Sequence, residues 1–173
     1  MSSTAFAQSE DDFEVYLQFS HRGVINSYVI AYYDGEEFNL PVKELFELLR
    51  LEANVNDIVI SGNFALDQTP YSIDLRRQTI VFGDQSYPIT SDDYILTDLD
   101  TYLPPRYFSE IFGLDFSVDF NNLTLRLETE VELPIIQQFL RRAKLKLANT
   151  NRREVSYYPL GYGLERTIID GGF

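Results

Sequence analysis

The chain has 173 residues, with 27 Asp and Glu against 14 Lys and Arg, a formal net charge of −13, and no cysteine. That length fits one ordinary domain or two small ones, and the missing thiols exclude disulfides, thiol redox chemistry and thiolate metal sites. The charge is unevenly placed: residues 1–133 hold 7 basic and 24 acidic side chains, whereas residues 134–173 hold 7 and 3. The acidic body repels phosphate backbones and anionic lipid, so nucleic acid is not expected as its partner, while the basic tail keeps a polyanion or protein contact open.

Aromatic residues make up 14% of the chain and all are Phe or Tyr, which favours strands over helices. At the start, Ala5-Phe6-Ala7 before Gln8 has the small-x-small spacing that signal peptidases cleave, so residues 1–7 are expected to be the stub of a trimmed export signal. Next, Val15, Leu17 and Phe19 alternate with Tyr16, Gln18 and Ser20, and a β-branched and aromatic run covers Val24 to Tyr33, closed by the turn dipeptide Asp34-Gly35. Pro41 suits a first helical turn, and Val42, Leu45, Phe46 and Leu49 draw one apolar stripe, predicting a helix over about Pro41–Leu51.

The stretch from Phe38 is written again from Thr101. At an offset of 63 the two share Leu-Pro (Leu40-Pro41, Leu103-Pro104), Glu47 and Glu110, Leu51 and Leu114, and Val55 and Val118. Gly113 predicts a shorter second helix with a sharper end than the first, whose matching residue is Arg50. After it, Phe116, Val118 and Phe120, the turn Asn121-Asn122, then Leu123, Leu125 and Leu127 predict a hairpin. Short strands split by Gly83-Asp84 and by Ser91-Asp92-Asp93 lie between the copies. The predicted fold is α+β: two tandem similar units, residues 8–75 and 76–132, each of short antiparallel strands packed with one short helix and a β-hairpin. A basic linker helix follows over residues 133–153, opened by Leu133-Pro134 with Arg141, Arg142, Lys144 and Lys146 toward its far end. Residues 154–173, rich in Tyr and Gly, are expected to begin a further region of a longer chain.

Catalytic chemistry finds little support. His21 is the only histidine, which excludes histidine triads and multi-histidine metal sites and leaves it as a turn residue. Asp92/Asp93 and Asp98/Asp100 lack EF-hand spacing, and Gly161-x-Gly163 lacks the rest of a dinucleotide fingerprint. No catalytic, cofactor-binding or metal-ligating residue is assigned, and no cofactor is expected.

The unit from Asp34 to Asn56 and its second copy resemble the copper amine oxidase N-terminal-like domain, a small repeated α+β module. Leu40-Pro41, Leu45, Leu48, Leu51 and Leu103-Pro104, Phe108, Ile111, Leu114 match its pattern, while Pro105 and Ser109 depart from it. The order of elements over about Phe13–Arg153 is similar to the periplasmic N-terminal region of usher-like outer-membrane β-barrel proteins. The resemblance implies a non-enzymatic periplasmic module attached to the outer membrane. Its partner would be an exported subunit, a chaperone or its own barrel, gripped through an unpaired strand edge at Tyr28–Tyr33 or Phe116–Leu127. Tyr28, Tyr32, Tyr33, Tyr102, Tyr107, Phe116 and Phe120 are the candidate partner-binding side chains. The alternative is a cell-wall or surface-polysaccharide binding module, which requires Tyr32, Tyr33, Tyr102 and Tyr107 to share an exposed groove.

Overall fold

A computed structural model describes residues 12–157. The expected signal stub and residues 158–173 of the Tyr/Gly-rich segment lie outside them. Two compact units divide the chain, one ending at Ile136 and the other starting at Gln137.

The first unit is mixed α+β and mostly strand. Strand β1 (Phe13–His21) buries Leu17, Phe19 and His21 and exposes Tyr16, Gln18 and Ser20, the two-residue period of a sheet with one wet face. It pairs antiparallel along its whole length with β2 (Ile25–Tyr33). Strand β3 (Phe38–Pro41) leads into helix α1 (Val42–Leu48). A five-stranded antiparallel meander follows: β4 (Asn54–Asn56), β5 (Val59–Phe64), β6 (Thr69–Asp74), β7 (Thr79–Phe82) and β8 (Gln85–Pro88). A 3-10 turn at Ser91–Asp93 precedes β9 (Ile95–Leu96) and β10 (Thr101–Leu103), which opens helix α2 (Pro105–Phe112). The hairpin β11 (Asp115–Asp119) and β12 (Thr124–Glu128) completes a seven-stranded sheet ordered β11-β12-β1-β2-β3-β10-β9.

The two stretches expected to fold in tandem interleave instead. β12 lies parallel against β1, and β10 lies antiparallel against β3, while β7 and β8 extend the meander begun by β4. The residues that repeat in sequence meet in space: Leu40 of β3 is the register partner of Leu103 of β10. β2–β3 pairs Tyr32 with Asn39 and Tyr33 with Phe38; β9–β10 pairs Ile95 with Tyr102 and Leu96 with Thr101, each residue 63 positions further on.

One core serves both sheets. Phe46 of α1 packs on Phe64 and Tyr71 of the meander and on Phe108 and Phe112 of α2, with ring centroids 5.3 to 6.3 Å apart. Full burial of one such ring contributes roughly 2–3 kcal/mol. In the hairpin, Phe116 pairs with Leu127 and Val118 with Leu125, as the alternation predicts. The turn runs from Phe120 to Leu123, and the Asp119 carboxylate accepts the N–H groups of Asn121 and Asn122.

The first helix is shorter than its apolar stripe suggests, and α2, eight residues against seven, is not the shorter of the two. Both helices end in the left-handed region, at Arg50 (φ 61°) and Gly113 (φ 69°), where glycine carries no Cβ penalty. No side chain of α1's own N-terminus caps it. Asp100, from the strand pair's far side, accepts the N–H of Lys43 at 2.9 Å, of Glu44 at 2.8 Å and of Thr101 at 2.7 Å. Burial raises the Asp100 carboxyl above its ordinary value against the pull of those donors. Helix α3 (Pro134–Tyr157) starts where the sequence predicts and runs four residues past the expected end. Its portion in the second unit exposes Phe139, Leu140, Leu145 and Leu147 alongside the basic side chains.

Replacing Asp100 by Ala orphans two helix N–H groups and lowers stability by about 2 kcal/mol, read as a fall in the urea midpoint at unchanged slope. Folded Asp100 holds its proton to higher pH than the unfolded chain does, so its contribution falls as pH rises through that raised value. Asp100→Ala therefore also removes part of that pH slope. Arg50→Gly raises stability by about 0.5–1 kcal/mol in the same assay.

Candidate functional site

The alternation of backbone groups along β1 and β2 decides which edge is open. Gln18 donates its N–H to the carbonyl of Leu123, the residue before β12, and is the register partner of Thr124, so even-numbered residues of β1 face β12 and odd-numbered ones face β2. The β1–β2 register joins odd to odd, which turns the backbone N–H and C=O of Asn26, Tyr28 and Ile30 away from β1. On that side β3 pairs only with Tyr32 and Tyr33 before Pro41 starts the helix. The Ile30 N–H lies near enough to the Glu44 carboxylate to pull its pKa down. Among the described residues no strand lies beside Asn26 and Tyr28.

A groove of about 550 Å³ lies at the start of this stretch, between Val24–Ser27 and α1. Ile25, Leu48 and Ile135 give it an apolar floor, and Ile135 is held there by its N–H, which donates to the Leu49 carbonyl at 3.4 Å. Glu44, Glu47 and Arg50 stand on the rim. Lys43 approaches Glu47 at 3.8 Å, one helical turn away. Burial raises the Glu44 carboxyl above its usual range, and the charges of Asp100 and Glu47 push it the same way against the Ile30 N–H.

The aromatic candidates scatter. Tyr28 is 66% exposed, on the outer face of β2. Tyr32 and Tyr102, 7% and 4% exposed, pack edge to face at 4.7 Å, and the Tyr32 hydroxyl donates to Glu14 at 2.8 Å. Phe116 is buried between Phe19 and Phe108. Tyr107 is half-buried with the Arg106 guanidinium 5.1 Å over its ring. Tyr33 meets Phe38 at 4.8 Å and Phe120 at 5.8 Å, so these two candidates do come together, with Phe120 59% exposed. Tyr32, Tyr33, Tyr102 and Tyr107 share no exposed groove, and the rings of Tyr32, Tyr102 and Phe116 present no surface to a partner. What the sequence reading missed is the rim of α1. Glu44 and Glu47 sit off the apolar stripe at helical spacing, and that was the available signal.

No family model matches the sequence, and neither curated proteins nor solved structures show a match to it.

A second recess, of about 480 Å³, is lined by Ser20, His21, Arg22, Arg126, Leu127, Glu128 and Thr129. His21 is not an exposed turn residue: it is 6% exposed, with Nδ1 3.2 Å from the Leu127 carbonyl. Since a carbonyl only accepts, Nδ1 carries the proton, and Nε2 is buried without a hydrogen-bond partner. Burial lowers the His21 pKa, reinforced by the Arg22 charge and opposed by the Leu127 bond. Elsewhere, Asp100 caps α1, and Asp93 accepts the Thr90 N–H at 2.7 Å and Arg106 at 3.0 Å. Among the described residues no three His, Cys, Asp or Glu side chains are grouped to hold a metal ion.

A histidine with a lowered folded pKa contributes stability that is present above its unfolded value of 6.5 and is lost as pH falls toward the folded value. The stability difference between the native chain and His21→Gln therefore shrinks between pH 7.5 and 5. A difference that stays constant across that range, in paired urea titrations, would refute this assignment.

Proposed function

We propose that this chain is a non-catalytic interaction module that accepts an extended protein segment as an added strand on the open edge of β2. The observation that supports the proposal is the pair of outward-facing backbones at Asn26 and Tyr28, of which Asn26 lines a groove that also includes Ile25, Leu48 and Ile135. Added strands derive affinity from main-chain hydrogen bonds and specificity from pockets for alternate side chains, and both are supplied here. A periplasmic setting, with an exported subunit or a chaperone as the partner, belongs to the same proposal. It is supported by the Ala5-Phe6-Ala7 pattern and by the resemblance to the copper amine oxidase N-terminal-like domain.

We also propose that the body arose by duplication, with the two copies exchanging strands about the Leu40–Leu103 pair. Three sets of contacts support this reading. The β2–β3 register recurs in β9–β10 at the sequence offset of the repeat. Asp100 caps α1 of the other copy, while its counterpart Glu37 pairs with Arg106 of α2. In the second copy the stretch matching β2 is broken by the turn at Ser91–Asp93, clamped by Thr90, Asp93 and Arg106.

Tyr28→Pro removes the outward N–H while sparing the ladder to β1, which uses odd-numbered residues. The expected result is that an exported subunit or chaperone captured from periplasmic extract, then purified and re-bound, loses at least tenfold in affinity for a Tyr28→Pro variant of native circular dichroism. Equal binding by the two proteins would sink the edge assignment.

A further inference from the structure

We propose, resting on the strand-addition reading, that the groove beside β2 selects a segment carrying a lysine or arginine two residues from an aliphatic side chain. The charge complementarity begins with Glu44. Its carboxylate is partly buried, lines the groove near the Ile30 N–H, and makes no ion pair among the described residues, since Lys43 is directed to Glu47. Asp100 adds a second negative charge nearby. A strand long enough to pair with Ile30 takes up that N–H and leaves the Glu44 carboxylate without it. A carboxylate left in a half-buried site without a donor is costly, so the incoming strand must bring one. A lysine or arginine does so and pairs the charge at the same time.

The aliphatic residue follows from spacing. Side chains two apart on a strand share a face and lie about 6.7 Å from each other. Glu44 and Leu48, four apart on α1, are separated by about 6 Å along the helix. One face of an added strand thus matches a basic residue to Glu44 and an aliphatic one to the floor of Ile25, Leu48 and Ile135. The excess of 24 acidic over 7 basic residues in positions 1–133 favours encounter with a basic segment and disfavours an acidic one.

Three blocked pentapeptides test this: Thr-Val-Thr-Lys-Thr, Thr-Val-Thr-Gln-Thr and Thr-Val-Thr-Glu-Thr, titrated into the ¹⁵N-labelled 173-residue chain and followed by NMR. The expected result is saturable shifts at the Asn26 and Tyr28 amides, with the Lys peptide binding at least tenfold more tightly than the Glu peptide. In Glu44→Gln, which keeps an acceptor for Ile30, that ratio falls to within about twofold. Equal affinity for the Lys and Glu peptides overturns the charge selection while leaving strand addition standing. Binding that shifts neither Asn26 nor Tyr28 with any peptide overturns both. Concentration-dependent shifts at those amides without peptide assign the edge to a second copy of the chain and overturn the proposal.

Discussion

The pairing of β3 with β10 is the contact on which the remaining geometry depends. It involves only Leu40 with Leu103 and Pro41 with Tyr102, yet it closes the middle of the seven-stranded sheet. Each strand runs straight into a helix, so fixing the pair fixes the start of α1 and of α2 together. The helix N-termini need acceptors, and a proline at the N-cap offers no side-chain oxygen. The antiparallel pair carries Asp100 to α1, where it accepts the N–H groups of Lys43 and Glu44, and Glu37 to the Arg106 side chain of α2, so each helix start is tied to the opposite stretch of chain. Phe46 and Phe108, entering from the two helices, then share one aromatic core.

The open edge follows from the same constraint. Because β3 ends at Pro41 after pairing two residues of β2, the chain leaves the sheet plane and α1 passes beside the rest of β2. A strand left this way exposes donors and acceptors that invite uncontrolled pairing. Here the Glu44 carboxylate lies near the Ile30 N–H, and the carboxylates of Glu44 and Glu47 place charge where a nonspecific strand would lie. The raised pKa of Glu44 records what that placement costs in desolvation.

Much of this was legible in the sequence, because most of it is local. Alternation at Val15–Ser20, the stripe Val42–Leu49, the proline openings and Gly113 locate strands and helices through rules that span a few residues. Repetition at offset 63 was legible too, but its meaning in space was not. Tandem and strand-exchanged arrangements bury the same apolar faces, and only the long-range registers β1–β12 and β3–β10 separate them. The aromatic candidates were misjudged for a related reason. Tyr32, Tyr102 and Phe116 are as apt for a core as for a binding face, and burial is decided by partners 70 to 100 positions away in sequence. His21 illustrates the same limit, since the Leu127 carbonyl that fixes its tautomer lies at the far end of the unit.

The other edges of the two sheets explain why the β2 groove is where an added strand fits best. β9 has two residues, too few to hold a partner in register. β4 has three, all exposed, so a strand joining it gains no apolar pocket. β8 ends in Pro88, which lacks a donor. β11 is bracketed by Asp115 and Asp119, and its one fully buried side chain, Phe116, is already committed to Phe19 and Phe108. Among the described residues only Asn26 and Tyr28 on β2 join free backbone groups to an apolar-lined groove, and the strand is stiffened by its complete ladder to β1. Rigidity on one side lowers the ordering cost that an incoming segment must overcome, so affinity is set by what that segment brings to Glu44 and Leu48.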